Sequence, residues 1–212
     1  PLCDALQSTK VVDSQVMLAH LERTNLFVVP LDNERGWYRY HHLFADLLNN
    51  TLRQHRSAVD IRELHRRASL WHQGQGALEE ALVHAIAAQD YERAASIIDE
   101  NIVSMLSRSE APVLLKWIEK LPEEIAVSRP WVDVYRAYTM SLSGRSAEAE
   151  QVIDDVEKRI DPDTPRFSEL LGEIAAIRAF IANTHGDAAR VIEMASLAEE
   201  KLAGIHPDEL TP

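Results

Sequence analysis

The stretch NLFVVPLDNERGWYRYHHLFADLL, residues 25–48, decides the fold of the N-terminal part because its hydrophobic period changes within it. Two short runs rich in Val, Phe, Trp and Tyr flank DNERG, whose Asp, Asn and Gly favour a turn. This pattern predicts a β-hairpin in which Pro30 takes an edge position, since proline cannot donate a ladder hydrogen bond. After His41 the apolar residues recur at helical spacing, which predicts a helix. The aromatic residues of the stretch are expected to pack across this corner; they are Trp37, Tyr38, Tyr40 and Phe44.

A helix is also predicted on the N-terminal side of the hairpin. Apolar residues at helical spacing follow Asp13 and Ser14, either of which is a suitable N-cap, and the helix is expected to run to about Thr24. The order helix, helix, hairpin, helix is the outline of a winged-helix domain. We assign this domain to residues 1–56.

Beyond about Val59 the pattern predicts helices only. Four apolar stripes at helical spacing cover residues 61–121, and Pro, Gly or Asp punctuate the segments between helices. Connections this short make successive helices pack antiparallel. We expect a helical arm with the first helical hairpins at residues 57–128 and helical repeats at residues 129–212.

An internal repeat supports this organisation. Residues 135–160 and 177–202 superpose at an offset of 42, with identities at Arg136 and Arg178, Ala137 and Ala179, Gly144 and Gly186, and Ala147 and Ala189. A weaker third copy places Gln89 where the first has Gly144. Glycine ends the first helix of such a hairpin, and small residues let the second helix approach closely. The predicted fold is mostly α: a small winged-helix-like N-terminal part with one β-hairpin, then an α-helical, tetratricopeptide-like, right-handed superhelix.

Charge is distributed unevenly along the chain, whose net charge is −12. Residues 1–76 hold nine Lys and Arg against eight Asp and Glu, and the remainder holds thirteen against twenty-six. An acidic C-terminal part disfavours nucleic-acid binding, which needs clustered Lys and Arg. A DNA-binding winged helix is disfavoured as well, because the helix after the hairpin carries Asp46 and no Lys or Arg before Arg53. We expect no direct nucleic-acid binding by this segment.

The sequence also indicates the cellular compartment of the protein. No run of about 18 apolar residues occurs, and the first twenty residues lack the apolar core of a signal peptide. The single cysteine, Cys3, excludes an internal disulfide and fits a reducing compartment. We expect a cytoplasmic location and no membrane partner.

Motifs for catalysis and nucleotide binding are missing from the sequence. It contains no G-x-x-x-x-G-K-[ST] loop, no G-x-G-x-x-G after a predicted strand and no G-x-S-x-G elbow. Adjacent carboxylates such as Glu79 and Glu80 lie near helix ends, where solvation explains them. We expect no catalytic residue, no cofactor bound by this segment alone and no enzymatic activity in it.

Six of the nine histidines lie before Gly76, and they do not have the spacing of a metal site. Helical metal ligands favour positions i and i+3 or i+4. His41 and His42 are adjacent and their side chains are expected to diverge, whereas His65 and His72 are two turns apart, too far for one ion without a third ligand. We expect no metal site. The residues alone favour a structural role for His41 and His42, since a strand end and a helix start offer backbone partners.

Residues 25–48 resemble the winged-helix segment of the large ATP-dependent LuxR-type transcription activators, the MalT family of signal-transduction (STAND) ATPases. PLCDAL and LAHLERTN before the hairpin, and LHRRASLWHQGQGALEEALVHAIAAQDYERAASIID after it, resemble the same family. The likeness covers about residues 1–110, and beyond them only the helical-repeat character agrees. It implies a modular parent with a P-loop nucleotide-binding domain before the winged helix, superhelical repeats after it and a helix-turn-helix at the C-terminus.

The resemblance also implies a cofactor, partners and one site residue. ATP or ADP is the parent's cofactor, ADP being held between the nucleotide-binding domain and the winged helix until an inducer at the repeats permits exchange and self-association. The wider ATPase class has a Met-His-Asp motif here whose His reaches the ADP β-phosphate, and YHHL occupies that place. His41 is therefore the candidate phosphate contact, and His42, which stands where the motif has Asp, is the weaker one. A histidine at a helix start suits an anion because the helix dipole adds to its N–H donor.

Two functions remain open. The leading one is a non-enzymatic regulatory segment whose closed and open arrangements are biased by nucleotide and by inducer. The alternative is a tetratricopeptide-like scaffold that binds a protein or peptide, with Trp131, Tyr135 and Tyr138 as the candidate surface for a partner or ligand, although their helical spacing also favours core packing. The chain starts at Pro1 without an initiator Met and ends in DELTP, so we expect a segment of a longer protein.

Overall fold

The computed structural model describes residues 2–7, 13–24, 26–34 and 36–203. These residues form twelve helices and one two-stranded hairpin, in the order α1 (Leu2–Leu6), α2 (Ser14–Arg23), β1 (Val28–Pro30), β2 (Tyr38–Tyr40), α3 (His42–His55), α4 (Ala58–Gly74), α5 (Leu78–Ala87), α6 (Tyr91–Ser107), α7 (Ala111–Ile118), α8 (Glu123–Ser128), α9 (Pro130–Leu142), α10 (Ser146–Arg159), α11 (Phe167–Thr184) and α12 (Ala188–Leu202). The predicted mostly α fold with a small winged-helix-like start is confirmed. Residues 204–212, which include DELTP, lie outside the described part.

The chain divides into two compact units, Pro1–Asp90 and Tyr91–Pro212. The domain boundaries that we place at 56 and 128 remain a prediction, as does the likeness of the helical part to tetratricopeptide repeats. Within the described residues, no helix is both long and apolar enough to cross a membrane.

The hairpin of the first unit is closed by one aspartate. β1 and β2 are antiparallel, with Pro30 opposite Tyr38. The carboxylate of Asp32 accepts hydrogen bonds from the backbone N–H groups of Gly36 at 2.8 Å and Trp37 at 3.0 Å. The predicted turn at DNERG is therefore confirmed, and its Asp acts by satisfying backbone donors within the turn.

Side-chain caps fix the starts of two helices in this unit. Asp13 is the N-cap of α2 and accepts from the N–H of Gln15 at 2.9 Å, so of the two predicted caps Asp13 is the one used. Ser57 and Asp60 form a reciprocal capping box at the start of α4. α4 packs against α5, whose buried face includes Ala81, Leu82 and Ala85.

The second unit has a continuous core made by α9, α10 and α11 with one residue of α7. Its fully or nearly fully buried members are Leu115, Val134, Ala137, Met140, Ala149, Ile153, Val156, Leu170, Ile174, Ile177 and Ile181. α11 and α12 approach closely at Gly172, where an added Cβ would meet Leu202 Cγ at 2.6 Å. Glycine is favoured at this position because an added side chain would force that of Leu202 to move.

Five helices end in the same left-handed turn. Gly76, Gly144 and Gly186 have φ of 73°, 77° and 74°, and Gln89 and Ser109 adopt 59° and 62°. In each turn the next N–H donates to the carbonyl five residues earlier, as in Arg145 to Met140. Gln89 thus shares the backbone conformation of Gly144, as the aligned repeats predict.

The left-handed conformation at Ser109 leads to a testable prediction. A non-glycine residue there carries a steric cost of about 1–2 kcal/mol that glycine does not. We expect Ser109→Gly to raise the free energy of unfolding by about 0.5–1 kcal/mol after the entropy of glycine is counted. Gly144→Ala, at the equivalent turn position, should lower it by about 1 kcal/mol. Urea denaturation of both variants measures the effect, and two changes of the same sign would contradict this account of the turns.

Candidate functional site

His41 lies between the hairpin and α3 and is the N-cap of that helix. Its N–H donates to the carbonyl of Phe27 at 2.8 Å, and its carbonyl accepts from the N–H groups of Phe44 and Ala45 at 2.9 Å. Its side chain makes no capping hydrogen bond and is exposed. The imidazole therefore sits at the positive end of a fourteen-residue helix with its donor capacity uncommitted to that helix.

The expectation that His41 and His42 diverge is wrong. Their ring centroids lie 4.3 Å apart with an interplanar angle of 35°. The backbone conformation changes between these two residues. His41 has ψ of 138°, an extended value, whereas His42 is the first residue of α3. The angle between their side chains is therefore not the one that separates successive residues of a helix. Across the described residues, no group of three or more His, Cys, Asp or Glu has the arrangement of a metal site.

Phe27 supports His41 from the hairpin side. Its φ of 57° is a left-handed value that a bulky residue seldom adopts. Its ring lies 5.6 Å from that of Phe44 and 6.3 Å from that of His41. These contacts hold a strained residue in place beside the helix start, and strain of this kind clusters at functional sites.

An uncovered apolar surface adjoins this corner. Leu43 and Leu47 on α3 are 66% and 59% exposed, Phe27 is 58% exposed, and α3 has no buried residue. The predicted apolar rows of this helix are thus present, but none of their members is fully buried: Phe44 and Leu52 are half-buried and the others are exposed. A patch of this kind on a helix is typical of a surface that packs against another domain.

The aromatic residues of the hairpin pack only partly as expected. Tyr40 and Phe44 contact each other across the corner, with ring centroids 5.7 Å apart. Trp37 instead packs edge to face on Trp71 of α4 at 6.1 Å. The tryptophan therefore links the hairpin to the next helix, a long-range contact that local periodicity does not encode.

Two of the three aromatic residues predicted as a ligand surface meet at a cavity of about 240 Å³ in the second unit. The rings of Trp131 and Tyr135 lie 5.8 Å apart, and the guanidinium of Arg166 stands 4.5 Å above Trp131. Tyr138 packs against the core and does not line the cavity. Arg166 has φ of 59°, so this cavity also contains a left-handed non-glycine residue.

The cavity contains one unsatisfied acceptor. Arg129 donates to Glu92 at 2.8 Å and to Asp99 Oδ2 at 3.1 Å, but Asp99 Oδ1 is buried without a partner in the described part. Burial raises the pKa of Asp99 against the opposing effect of Arg129, and burial raises the pKa of Tyr135 to about 12. A ligand with a hydrogen-bond donor and a flat apolar face would complement this arrangement.

Sequence reasoning missed the polar half of this cavity. Asp99, Arg129 and Arg166 lie on three separate elements and belong to no motif. The available signal was the DPDTPR loop, whose two prolines restrict the backbone just before Arg166. Whether these three side chains come together depends on how the helices pack, which local sequence does not determine.

Three histidines converge between α4 and α5, which spacing alone did not indicate. His65 Nδ1 and His84 Nδ1 are 2.9 Å apart, and His84 stacks on His72 with ring centroids at 5.3 Å. His72 Nδ1 is buried without a partner in the described part. A hydrogen bond between two imidazoles requires an acceptor nitrogen, so at least one of the two rings must be neutral.

This cluster predicts a loss of stability on mild acidification. Burial lowers the pKa of His65, and burial together with its histidine neighbours lowers that of His84, with Glu80 opposing. Because the folded pKa lies below the unfolded value of 6.5, the unfolded chain takes up protons first as the pH falls below that value. The thermal midpoint should therefore fall between about pH 7.5 and about pH 5.5.

Two variants isolate this effect. His84→Gln should reduce the acid-induced fall in the thermal midpoint, while His55→Gln, at an exposed position of α3, should retain it. Differential scanning calorimetry at both pH values makes the comparison. An equal fall in both variants would show that His84 does not cause the pH dependence. Asp99 and Glu173 cannot cause it either, because burial raises their pKa values and the folded state therefore takes up their protons first.

The fold and the site define a winged-helix domain joined to helical hairpins. Residues 1–60 match the family model of the MalT winged helix domain. The chain is 31% identical over 205 residues to the serine/threonine-protein kinase PknK of Mycobacterium tuberculosis, covering 95% of this chain and 18% of that protein. It is 28% identical over 190 residues to the HTH-type transcriptional regulator MalT of Klebsiella pneumoniae and 30% identical over 191 residues to MalT of Vibrio cholerae, in each case over 90% of this chain and 21% of the relative.

Residues 1–60 therefore match a winged helix domain of the MalT type, and over about 90% of its length the chain is similar to a segment of MalT transcriptional regulators and of PknK. The chain spans about a fifth of the length of the curated relatives that it matches. No solved structure matches it significantly.

Proposed function

We propose that this chain is a regulatory segment of a MalT-like protein, in which the winged helix reads the nucleotide state of a neighbouring ATPase domain and the helical hairpins relay an effector signal. The observation that carries the proposal is the exposed His41 at the start of α3, within a region that matches the MalT winged helix domain. ATP or ADP would be bound by the larger protein, and His41 would contact its phosphate.

The chemistry of the corner supports this role. A nucleotide phosphate is an anion, and the first turn of α3 presents backbone N–H groups and the helix dipole to it. His41 adds a side-chain donor at the same end, and His42 lies beside it at 4.3 Å. The two imidazoles therefore form a small donor pair for a phosphate oxygen.

The apolar surface beside His41 supports docking against another domain. Contact through Leu43 and Leu47 would place the helix start at the domain boundary, and a nucleotide held there would be enclosed on one side by the winged helix. Binding of ADP or ATP would then bias the docking equilibrium, because the ligand contacts both domains in one arrangement only.

The cavity at Trp131 is the candidate effector site of the segment. It combines an aromatic wall with a buried acceptor on Asp99, the pattern expected for a small organic effector. Self-association of the larger protein would follow from opening of the docked form.

Docking can be tested with a charge on the apolar surface. In the longer protein that carries the ATPase domain, Leu47→Lys should reduce the amount of ADP retained through gel filtration by at least about tenfold, since a buried lysine without a partner opposes docking. Val103→Lys, at a similarly exposed valine of α6, is the control and should retain ADP. Equal ADP content in the two variants would refute docking through α3.

A second candidate follows from the match to PknK. That relative is named a serine/threonine-protein kinase, so the same segment can serve a kinase in place of a DNA-binding output. The reading frame around the segment distinguishes the two: a helix-turn-helix downstream supports transcriptional regulation, and a kinase domain supports the other output. The scaffold alternative would be favoured by a pull-down that recovers a protein partner with no small-molecule effector.

A further inference from the structure

A cavity of about 410 Å³ lies in the first unit, and neither His41 nor Trp131 lines it. It is half-open and is lined by residues of α1, α2, β2 and the C-terminal end of α4, together with Gly36 and Trp37 just before β2. Its apolar and aromatic wall is formed by Leu2, Leu18, Trp37, Tyr38, Tyr40 and Trp71. This volume lies within the range of small-molecule sites, which runs from about 300 to 1,000 Å³.

The wall of this cavity selects by charge. None of the described residues that line it is an Asp, Glu, Lys, Arg or His; the polar groups include the side-chain amides of Gln15 and Gln75 and the thiol of Cys3. Burial, with a smaller effect from Cys3, raises the pKa of Tyr40. A charged ligand would lose its hydration here without gaining an ion pair.

The aromatic groups favour a flat ligand. Trp37 and Trp71 meet edge to face with their ring centroids 6.1 Å apart, so they present two indole surfaces at an angle to the same space. Beside the cavity, the phenolic oxygen of Tyr38 is buried from solvent and has no partner among the described residues. Such a hydroxyl is unfavourable until a hydrogen-bonding group reaches it.

We propose that this cavity binds a small, uncharged, ring-bearing molecule that carries one or two hydrogen-bonding groups. The rings pack against Trp37 and Trp71, and the amide of Gln75 orients the polar groups. Because the wall combines the winged helix with α4, an occupant stabilises the arrangement of these elements. The proposal does not depend on nucleotide contact at His41.

The first test uses N-phenyl-1-naphthylamine, an uncharged fluorescent probe with two aromatic systems and one N–H donor. Titration of the whole chain should give saturable emission at one probe per chain, sensitised by tryptophan. Trp71→Ala should weaken binding by at least about tenfold, and Phe180→Ala, at an exposed aromatic residue of α11, should leave it unchanged. Non-saturable binding, or an equal loss in both variants, would overturn the proposal.

The second test varies the charge on the same ring system. 1-Anilinonaphthalene-8-sulfonate, which adds a sulfonate to the same ring system and is also fluorescent, should bind at least about tenfold more weakly than N-phenyl-1-naphthylamine in parallel titrations of the whole chain. Equal affinity for the two compounds would contradict an uncharged site.

The third test needs no substitution and therefore does not depend on the folding of a variant. Cys3 is the single cysteine of the chain, is exposed and lines the cavity. Saturating N-phenyl-1-naphthylamine should slow its reaction with 5,5′-dithiobis(2-nitrobenzoate) by at least about threefold, because the occupant blocks approach from one side. An unchanged rate would place the probe elsewhere and overturn the proposal.

Discussion

Replacing Asp133 with alanine is expected to lower the free energy of unfolding by about 3 kcal/mol. Asp133 lies on α9, and its side chain is only 7% exposed. Arg159 of α10 donates to Oδ2, and Arg136 Nη1 lies 2.9 Å from Oδ1, at ion-pair distance but without hydrogen-bond geometry. Removing the shared carboxylate leaves two partly buried guanidinium groups without their anion, which costs more than the ion pair itself contributes.

A matched control separates burial from pairing. Asp155 pairs with Lys158 at 2.9 Å on the same helix as Arg159, but both side chains are about 70% exposed. Asp155→Ala should change the free energy of unfolding by less than about 1 kcal/mol, since solvent screens this pair. Urea denaturation of both variants measures the difference. A cost for Asp133→Ala as small as that of the control would mean that the carboxylate does not hold α9 against α10.

Replacing Ile153 with alanine is expected to have a similar effect, about 3 kcal/mol, through the core. Ile153 lies on α10, is fully buried and belongs to the cluster shared with α9 and α11. The truncation removes buried methyl and methylene groups and leaves a cavity that close-packed neighbours fill only in part.

Ile192 provides the same chemical change on an exposed surface. It lies on α12 and is 68% exposed, so Ile192→Ala should stay within about 0.5 kcal/mol of the parent chain. Thermal and urea denaturation test the pair of variants together. If both variants lost the same stability, the core assigned to the second unit would be wrong.

The local elements of the winged helix could be predicted because short-range chemistry determines them. Asp32 closes the hairpin turn with its own carboxylate, and Asp13 caps α2, so both features are visible in a few consecutive residues. The period change after His41 placed the start of α3 correctly. The equivalence of Gln89 and Gly144 could also be predicted from the aligned repeats, and both residues adopt the same left-handed conformation after a helix.

The tertiary contacts of the sites could not be read in this way. His84 meets His65 across two helices, and Arg166 reaches Trp131 from a separate loop; nothing in the local spacing encodes either contact. The apolar rows of α3 were predicted, but their exposure was not, since burial depends on which element covers a face. The predicted divergence of His41 and His42 was wrong for a related reason, since the orientation of their rings depends on the backbone conformation at the N-cap.

The central claim is that His41 contacts a nucleotide phosphate in the larger protein, and the ADP dissociation rate tests it most directly. The longer protein is loaded with fluorescent ADP, and release is followed after addition of unlabelled nucleotide. His41→Ala should accelerate release by about tenfold, the effect of losing one donor to a charged group, while His55→Ala, at the exposed far end of the same helix, should release at the parent rate. An unchanged rate in His41→Ala, or an equal acceleration in both variants, would contradict the phosphate contact.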